Sequence, residues 1–258
     1  MLFRSGEKFY STGTAFADRM QVVGSGPDGQ ITVADLATNA PGLTIEDDWD
    51  GFGQRLTGSG TSRYDKVALT ADEVTLDRDP FRYQAAFFQT VHLATLTGIG
   101  RAAARDLDEL VQNRSRTFTH ANAPQARRDV QILQVVGKVH ASVFAAGAIV
   151  RQLTRALEDV WQASVSADAT VLDDAALSAE IQAAQAQSTV IPLILAATTN
   201  LFDALGASST STALALDRHW RNARVLACHN PVVYKERAIG DYVLNQTQPP
   251  YSWLPGEG

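Results

Sequence analysis

The residues whose types and spacing could carry chemistry lie in residues 216–231, LDRHWRNARVLACHNP. Apolar residues recur there at three- and four-residue steps, which predicts a helix with one packed face and a polar face that carries Arg218 and His229. The residue before a proline disfavours the α conformation, so we expect Pro231 to end the helix at His229 or Asn230. The negative end of the helix dipole then favours protonated His229, which suits a proton donor or an anion contact.

This stretch also has a simpler interpretation. Arginine and histidine side chains near a helix C-terminus commonly do no more than bond the last carbonyl groups. Spacing alone favours this structural role over a catalytic one.

Two adjacent hydroxyl groups mark a second candidate site near the start of the chain. Ser11 and Thr12 precede Gly13 at a predicted strand end, where side chains and backbone N–H groups can meet the polar edge of a ring. Turn-forming serine and threonine at an ordinary strand end explain this segment more simply.

Arginines gather where the first long helix is predicted to end and the second to begin. Arg114 and Arg116, with Phe118, are followed by Arg127 and Arg128. Guanidinium groups in such corners can hold a phosphate through paired hydrogen bonds. Solvated helix ends carry the same residues, so both interpretations stay open.

A connector of small residues, 206–211 (GASSTS), lies between the third and fourth predicted helices. It includes Ser208, Ser209 and Thr210, whose backbone N–H groups could bind an anion at the N-terminus of the following helix. Connectors of this composition are also common where no ligand binds.

Composition excludes several classes of protein. The 258 residues are 45% hydrophobic and 19% charged, enough to bury a sizeable core, and the net charge of −6 does not suit a nucleic-acid-binding protein. The single cysteine, Cys228, forms no intrachain disulfide, and no Cys/His spacing indicates a metal site. We find no Ser/His/Asp order, HExxH or P-loop. We also find no apolar run of membrane-spanning length and no signal peptide, which predicts a cytoplasmic protein with no membrane partner.

The first 75 residues are rich in glycine and in short strand patterns. We predict a hairpin of strands at residues 20–23 and 30–37 around a turn at 24–29, and a second strand pair at 49–57 and 62–69. Residues 1–5 follow no pattern.

The remainder of the chain is predicted to be helical, with helices at residues 80–118, 124–162, 173–206, 216–229 and 232–245. Pro124 is expected to open the second helix, and Asp173 and Asp174 to cap the third. Pro192 should kink or break the third helix, and Gly206 should end it.

The predicted fold class is α+β. A partial antiparallel β domain, residues 1–76, precedes an antiparallel four-helix bundle with a C-terminal tail, residues 77–258. Long bundle helices with apolar residues beyond a single stripe bury a second face, which predicts a homo-oligomer.

Three segments together resemble one family. Residues 6–13 (GEKFYSTG), 49–60 (WDGFGQRLTGSG) and 216–240 (LDRHWRNARVLACHNPVVYKERAIG) are similar to the flavin-dependent monooxygenases built on the acyl-CoA dehydrogenase fold, above all the dibenzothiophene and alkyl sulfone monooxygenases. The resemblance runs from Gly6 onward. Because family members begin with an α-helical domain and the first part of the β domain, this chain resembles the C-terminal two-thirds of such an enzyme.

The resemblance implies a place for each candidate in the first half of the chain. It puts Ser11 and Thr12 beside the flavin ring, where a hydroxyl can hydrogen-bond the N5 region, and it makes Ser11 a catalytic candidate. It puts Arg114 and Phe118 at the flavin phosphate or ring of a neighbouring subunit.

The later candidates follow in the same way. The resemblance puts Ser208, Ser209 and Thr210 near the cofactor tail, and Arg218 is the remaining candidate cofactor ligand. His229 and Asn230 face the oxygen-reacting side of the flavin, with His229 placed to protonate or stabilise a flavin peroxide.

The implied activity is that of a two-component monooxygenase. A separate flavin reductase supplies reduced FMN, and a homotetramer transfers one oxygen atom from O2 to a small apolar, organosulfur substrate. We expect the 258 residues alone to be poorly soluble and inactive, because a sheet that lacks its first strands exposes an edge.

Two alternatives stay open. The first is an FAD-dependent dehydrogenase of the acyl-CoA dehydrogenase type, but such enzymes often carry their catalytic glutamate in a tyrosine-glutamate-glycine segment that is absent from this sequence. Glu236 is the nearest carboxylate, and its neighbours Lys235 and Arg237 predict a surface position. The second alternative is a helical assembly module without chemistry.

Overall fold

The computed structural model describes residues 2–26, 31–76, 83–166 and 168–249. The chain divides into two compact units, Met1–Phe81 and Arg82–Gly258. We call them the β unit and the helical unit.

The β unit contains two three-stranded antiparallel sheets. Its strands are β1 (Leu2–Lys8), β2 (Arg19–Ser25), β3 (Ile31–Ala37), β4 (Leu43–Ile45), β5 (Ser62–Leu69) and β6 (Val74–Leu76). The strand orders are β1-β5-β4 and β2-β3-β6. Alternate residues of β2, β3 and β5 point into one shared core, because successive side chains of a strand face opposite sides. That core consists of Met20, Val22, Ala34, Leu36, Tyr64, Val67 and Leu69.

The predicted hairpin is present, with β2 paired to β3 from Arg19↔Ala37 to Ser25↔Ile31. Most of its predicted turn, residues 27–30, lies outside the described residues. The second predicted pair is wrong in one partner, because β5 pairs with β1 and β4 instead of with residues 49–57. Residues 49–57 form an irregular loop that Trp49 closes by donating its ring N–H to the Gly53 carbonyl at 3.2 Å. Residues 2–5, which follow no sequence pattern, belong to β1.

The helical unit is an antiparallel bundle of three long and two shorter helices. They are α1 (Gln84–Asn113), α2 (Val130–Val165), α3 (Ala169–Leu205), α4 (Asp217–Ala227) and α5 (Val232–Asn245). Its core is built from the apolar stripes of α1, α2 and α3, with Leu93, Leu96, Leu107, Val139, Leu153, Val160, Val190, Ile194 and Leu201 almost completely buried. Helices α1 and α3 pack closely at Gly100, where an added β-carbon would lie 2.6 Å from Ile194 Cδ1. The α+β fold class is confirmed.

Several predicted helix limits are wrong. Helix α2 begins at Val130 instead of Pro124, because Asp129 caps it by accepting a hydrogen bond from the Gln131 N–H group. Asp168 caps α3 in the same way, five residues before the predicted cap at Asp173. These side chains accept orphan N–H groups of the first helical turn, which sets the start of each helix.

The helix breakers act differently from one another. Pro192 lies on an exposed part of α3 and the helix continues through it, so the predicted break is absent. Gly206 ends α3 as predicted, and α5 has its predicted bounds.

The expectation that no apolar run reaches membrane-spanning length is wrong for two helices. Helices α2 and α3 are each long and apolar enough to cross a membrane by length and composition alone. The core helix of a globular bundle passes the same test, and α3 supplies much of the bundle core here.

Candidate functional site

The turn between α4 and α5 carries His229 and Asn230. Helix α4 ends at Ala227, and the His229 N–H group donates to the Leu226 carbonyl 3.2 Å away. This hydrogen bond joins residues three apart instead of four, as in a tighter 3₁₀ turn. The α-helix therefore ends at Ala227, four residues before Pro231. The prediction that the helix reaches His229 or Asn230 is therefore wrong.

The His229 ring packs against the ring of His92 from α1. The ring centroids are 4.1 Å apart and the planes are inclined by 53°. Partial burial lowers the pKa of His229, while burial and repulsion from His229 lower the pKa of His92 to about 4. Both rings are therefore neutral at pH 7. The expectation that the helix end favours protonated His229 is wrong, because burial lowers the pKa of His229 and so disfavours the charged ring.

A small pocket lies beside the two histidines, between α1, α3 and α4. It is lined by Gln89, His92, Leu93, Leu96, Gln187, Ile191, Leu226, Ala227, His229 and Asn230. The Gln187 side-chain amide donates to Gln89 Oε1 at 2.6 Å, and this buried pair joins α1 to α3. No carboxylate occurs among these lining residues. The pocket thus combines an apolar wall with imidazole and amide groups and offers no carboxylate base.

Lys235 and Glu236, two neighbouring residues of α5, have different surroundings. Glu236 is exposed, as predicted, whereas its neighbour Lys235 is only 4% exposed. Burial lowers the pKa of Lys235 to about 8, and attraction to Glu180 of α3 opposes that shift. Glu180 in turn accepts a hydrogen bond from the Ala86 N–H group at 2.7 Å, and burial raises its pKa. This cluster holds α1, α3 and α5 together.

Arg218, a predicted cofactor ligand, is bound to α1 within its own chain. Its Nη2 donates to Asp106 Oδ2 at 2.5 Å, and its Nη1 donates to the Leu214 and Ala215 carbonyls. Buried His219 donates from Nε2 to the same Asp106 oxygen at 2.9 Å. Burial alone would raise the pKa of Asp106, but the hydrogen bonds from His219 and Arg218 hold it below its usual range. The cluster anchors α4 on α1, and a cofactor role for Arg218 stays a prediction.

Arg114 and Phe118 lie just after α1, against the end of α3. Arg114 donates to the Ala204 carbonyl at 3.4 Å and to the Leu205 carbonyl, and its guanidinium carbon lies 5.6 Å from the centre of the Phe118 ring. A β-carbon added at Gly206 would lie 3.5 Å from Phe118. The structure therefore places Arg114 and Phe118, which we call the arginine corner, beside the small-residue connector, residues 206–211.

The connector itself is a short 3₁₀ turn, Ala207–Thr210. Its Ser209 hydroxyl is buried and donates to the Gly206 carbonyl at 2.6 Å, and the Thr210 hydroxyl donates to the Ala207 carbonyl at 2.7 Å. The local backbone thus occupies both hydroxyl protons, while Ser208 is exposed. Their placement near a cofactor tail stays a prediction.

The histidine pair and the arginine corner lie at opposite ends of α1. His92 and Arg114 are separated by 22 positions, which in a helix of 1.5 Å rise per residue is roughly 33 Å. One flavin therefore cannot contact both residues of the same chain.

Ser11 and Thr12 of the β unit pack on the glycine loop at residues 57–60. The Ser11 N–H group donates to the Gly60 carbonyl at 2.9 Å, and the Thr12 hydroxyl lies 2.8 Å from the Ser59 hydroxyl. Two of the three motifs that carry the family resemblance are therefore in direct contact. The sequence alone does not single out Ser59, because its hydroxyl becomes informative only through this pairing.

The glycine loop is held by a neighbouring strand end. A β-carbon at Gly60 would lie 1.7 Å from the Glu46 carbonyl oxygen, so this position needs glycine. Asp48 accepts hydrogen bonds from the Thr61 N–H group at 2.7 Å and the Thr61 hydroxyl at 2.8 Å, which lower the pKa of Asp48. The backbone that supports Ser11 is thereby fixed on both sides.

Metal-binding geometry is not found in the described part of the chain. No three His, Cys, Asp or Glu side chains there are placed to hold a metal ion. Cys228 is exposed, and its Sγ accepts a hydrogen bond from Arg224 at 3.1 Å.

More than half of the chain, residues 90–234, matches the family model of the acyl-CoA dehydrogenase C-terminal domain. The chain belongs to the acyl-CoA dehydrogenase family. Among curated family relatives, it is 31% identical to the dibenzothiophene monooxygenase of Mycolicibacterium goodii, and the match covers 98% of this chain and 63% of that protein. It is 26% identical to the probable FMNH2-dependent monooxygenase SfnC of Pseudomonas putida, covering 95% of this chain and 63% of that protein.

A solved structure shows the same architecture. The chain matches FMN-bound TdsC from Paenibacillus sp. A11-2 with a TM-score of 0.86 and 26% identity, covering 97% of this chain and 65% of that one. The chain thus spans slightly less than two thirds of the length of these family relatives.

Proposed function

We propose that the protein acts as a monooxygenase that uses reduced FMN to transfer one oxygen atom from O2 to a small apolar organosulfur substrate. A separate flavin reductase supplies the reduced FMN, and the protein is cytoplasmic. The names of the relatives support this activity, since they include dibenzothiophene monooxygenases and an FMNH2-dependent monooxygenase.

The observation that carries the proposal is the composition of the histidine pocket. An acyl-CoA dehydrogenase removes a proton next to the thioester with a catalytic glutamate. The pocket beside the α4–α5 turn instead presents His229 and Asn230 without a lining carboxylate, and Glu236 is exposed. This arrangement favours oxygenation over dehydrogenation.

The residues of the pocket have distinct tasks in this proposal. Reduced FMN supplies the electrons that activate O2. The neutral His229 ring donates its N–H proton in a hydrogen bond toward the oxygen being transferred, and Asn230 orients the substrate beside it. The buried apolar side chains of Leu93, Leu96 and Ile191 form the bundle-core side of the pocket beside the two histidine rings.

The flavin phosphate fits the arginine corner of a second copy of the chain. Arg114 offers a guanidinium group beside the Phe118 ring, a combination suited to a phosphate and to ring stacking. Because this corner is roughly 33 Å from the histidine pair along α1, a site that uses both needs two chains. A site shared between two chains is consistent with the homotetramer that the family resemblance implies.

The second candidate is an FAD-dependent dehydrogenase of the same family. Membership of the acyl-CoA dehydrogenase family is compatible with this candidate, because one fold can support both oxygenation and dehydrogenation. A preference for FAD, with oxidation of an acyl-CoA and no incorporation of oxygen, would establish it. A helical assembly module would bind neither flavin.

The deciding experiment uses the chain extended by the N-terminal portion that the family resemblance implies. It is a fluorescence titration with FMN and with FAD, followed by turnover with reduced FMN, dibenzothiophene and ¹⁸O₂. We expect FMN to bind more tightly than FAD, and label from O2 to appear in the product. Arg114→Ala should weaken FMN binding by about tenfold or more, because it removes charge-assisted hydrogen bonds to the phosphate.

Arg116→Ala is the matched control, because Arg116 is exposed in the same segment. It should leave FMN affinity within about twofold, because it removes only an exposed charge and keeps the Arg116 carbonyl, which accepts a hydrogen bond from Arg114 Nε at 3.0 Å. Equal losses in the two variants would contradict the proposed phosphate site.

A further inference from the structure

His92 has no role in the predicted site, yet it is the residue that His229 contacts. It lies on α1 with its ring against His229, and its Nδ1 atom is buried without a hydrogen-bond partner in the described part of the chain. Buried polar atoms in folded proteins normally have a partner, so this nitrogen indicates that another polar group binds here.

Gln187 provides a second such atom in the same pocket. Gln187 is 4% exposed, and its amide nitrogen already donates a hydrogen bond to Gln89. Its Oε1 atom is buried and has no partner among the residues that the structure describes. Among the described residues that line the pocket, these two buried atoms without a partner are one potential donor, on an imidazole, and one acceptor, on an amide.

The size of the pocket limits what can join these atoms. Its cavity volume of about 10 Å³ is close to the space that one water molecule needs. Water is both a donor and an acceptor, so one molecule can accept from the imidazole N–H group and donate to the amide oxygen.

We propose that His92 is the positioning residue of His229, and that His92 and Gln187 together hold one water molecule that fixes the His92 ring against which His229 packs. This inference rests on the proposed function of His229. With Nδ1–H engaged by the water, the His92 ring cannot rotate freely, and the face that it presents to His229 stays constant. His229 is then held in one orientation for proton donation.

The test uses three substitutions of His92 that differ in where a polar atom remains. His92→Phe removes both nitrogens, His92→Asn keeps an amide near the position of Nδ1, and His92→Gln keeps one near Nε2. We expect His92→Phe to lower turnover by about tenfold or more with FMN affinity unchanged, because a small misplacement of a reacting group is costly. His92→Asn should recover most of the turnover, and His92→Gln should not.

A spectroscopic readout keeps the test independent of turnover. Nitrogen-15 NMR of the His229 ring should show one set of sharp resonances in the wild type and in His92→Asn. It should show broadened or doubled resonances in His92→Phe and His92→Gln, because the ring then adopts more than one orientation. His120→Phe, at an exposed histidine, is the control and should change neither readout.

Two outcomes would overturn the inference: identical His229 spectra in the wild type and His92→Phe, or equal behaviour of the Asn and Gln variants. If His92→Phe does not fold, the Asn and Gln pair decides. A wild-type protein that oxygenates no organosulfur compound would contradict the proposed function, while the His229 spectra would still decide the role of His92.

Discussion

At the scale of single residues, the histidine pair determines how stability should change with pH. The pKa of His92 is about 4 in the folded protein, against an ordinary value of 6.5. Above pH 6.5 the ring is neutral in both states. Between pH 6.5 and about 4 the unfolded chain takes up a proton that the folded protein does not, so the free energy of unfolding falls as the pH falls.

We therefore expect the midpoint of thermal unfolding to decrease between pH 6.5 and 4, and to decrease less in His92→Phe. The same direction holds for His229, because partial burial lowers its pKa too. Thermal unfolding at a series of pH values measures this, with His120→Phe as the exposed control. An identical pH dependence in the wild type and His92→Phe would show that His92 is not held neutral by the fold.

Sequence identified one member of this pair and not the other. His229 stands out because it closes a polar helix face just before Pro231. His92 occupies an ordinary position in the periodic pattern of α1, and only folding brings the two segments together. The same limit applies to Asp106 and His219, whose pairing crosses from α1 to α4.

At the scale of elements, the type of each helix was predictable from periodicity, whereas several ends were not. The ends depend on which of several nearby caps is used. The sequence predicts Asp173 and Asp174 as the caps of α3, and the structure uses Asp168. Strand pairing depends on partners distant in sequence, so β5 was found as a strand but its pairing with β1 was not.

The anchoring of α4 on α1 by Asp106 gives a testable difference between two neighbouring carboxylates. Asp106→Asn removes the charged acceptor shared by Arg218 and by the His219 side chain, which is 5% exposed. It should lower the free energy of unfolding by about 2 kcal/mol, the usual scale for hydrogen bonds to a charged group. Denaturant unfolding measures the change.

Asp108→Asn is the matched control on the same helix. The Asp108 carboxylate pairs with His140, and their side chains are 35% and 50% exposed. An exposed pair contributes about 1 kcal/mol or less, so this variant should lose less stability than Asp106→Asn. Equal losses would mean that the buried cluster does not anchor α4.

At the scale of the whole molecule, the candidate residues are distributed over both units of the chain. Ser11 and Thr12 lie in the β unit, the histidine pair lies at the start of α1, and the arginine corner follows its end. Within the β unit, Tyr10 and Trp49 of two resemblance motifs meet edge to face at 5.9 Å. A flavin site that uses all the groups requires more than one copy of the chain, which makes assembly part of the proposed activity.

We expect the proposed assembly to form through the exposed surface of α2. One side of this helix packs in the bundle core, while large apolar side chains elsewhere on the helix are exposed. They are Val130, Leu133, Phe144, Trp161 and Val165. Exposed apolar surface of this extent on a helix is typical of a protein interface, and a second copy of the chain presents the same face.

Phe144 lies near the middle of this face and is 73% exposed. Phe144→Glu places a charge in the proposed interface, so we expect the proposed tetramer to dissociate into smaller species. FMN binding should weaken with it, because in the proposed site the arginine corner comes from a neighbouring chain. Sedimentation velocity measures the assembly, and Gln134→Glu, at an exposed polar position of α2, is the control. A Phe144→Glu protein that stays tetrameric would place the interface elsewhere. Dissociation with unchanged FMN affinity would instead show that a single chain completes the flavin site.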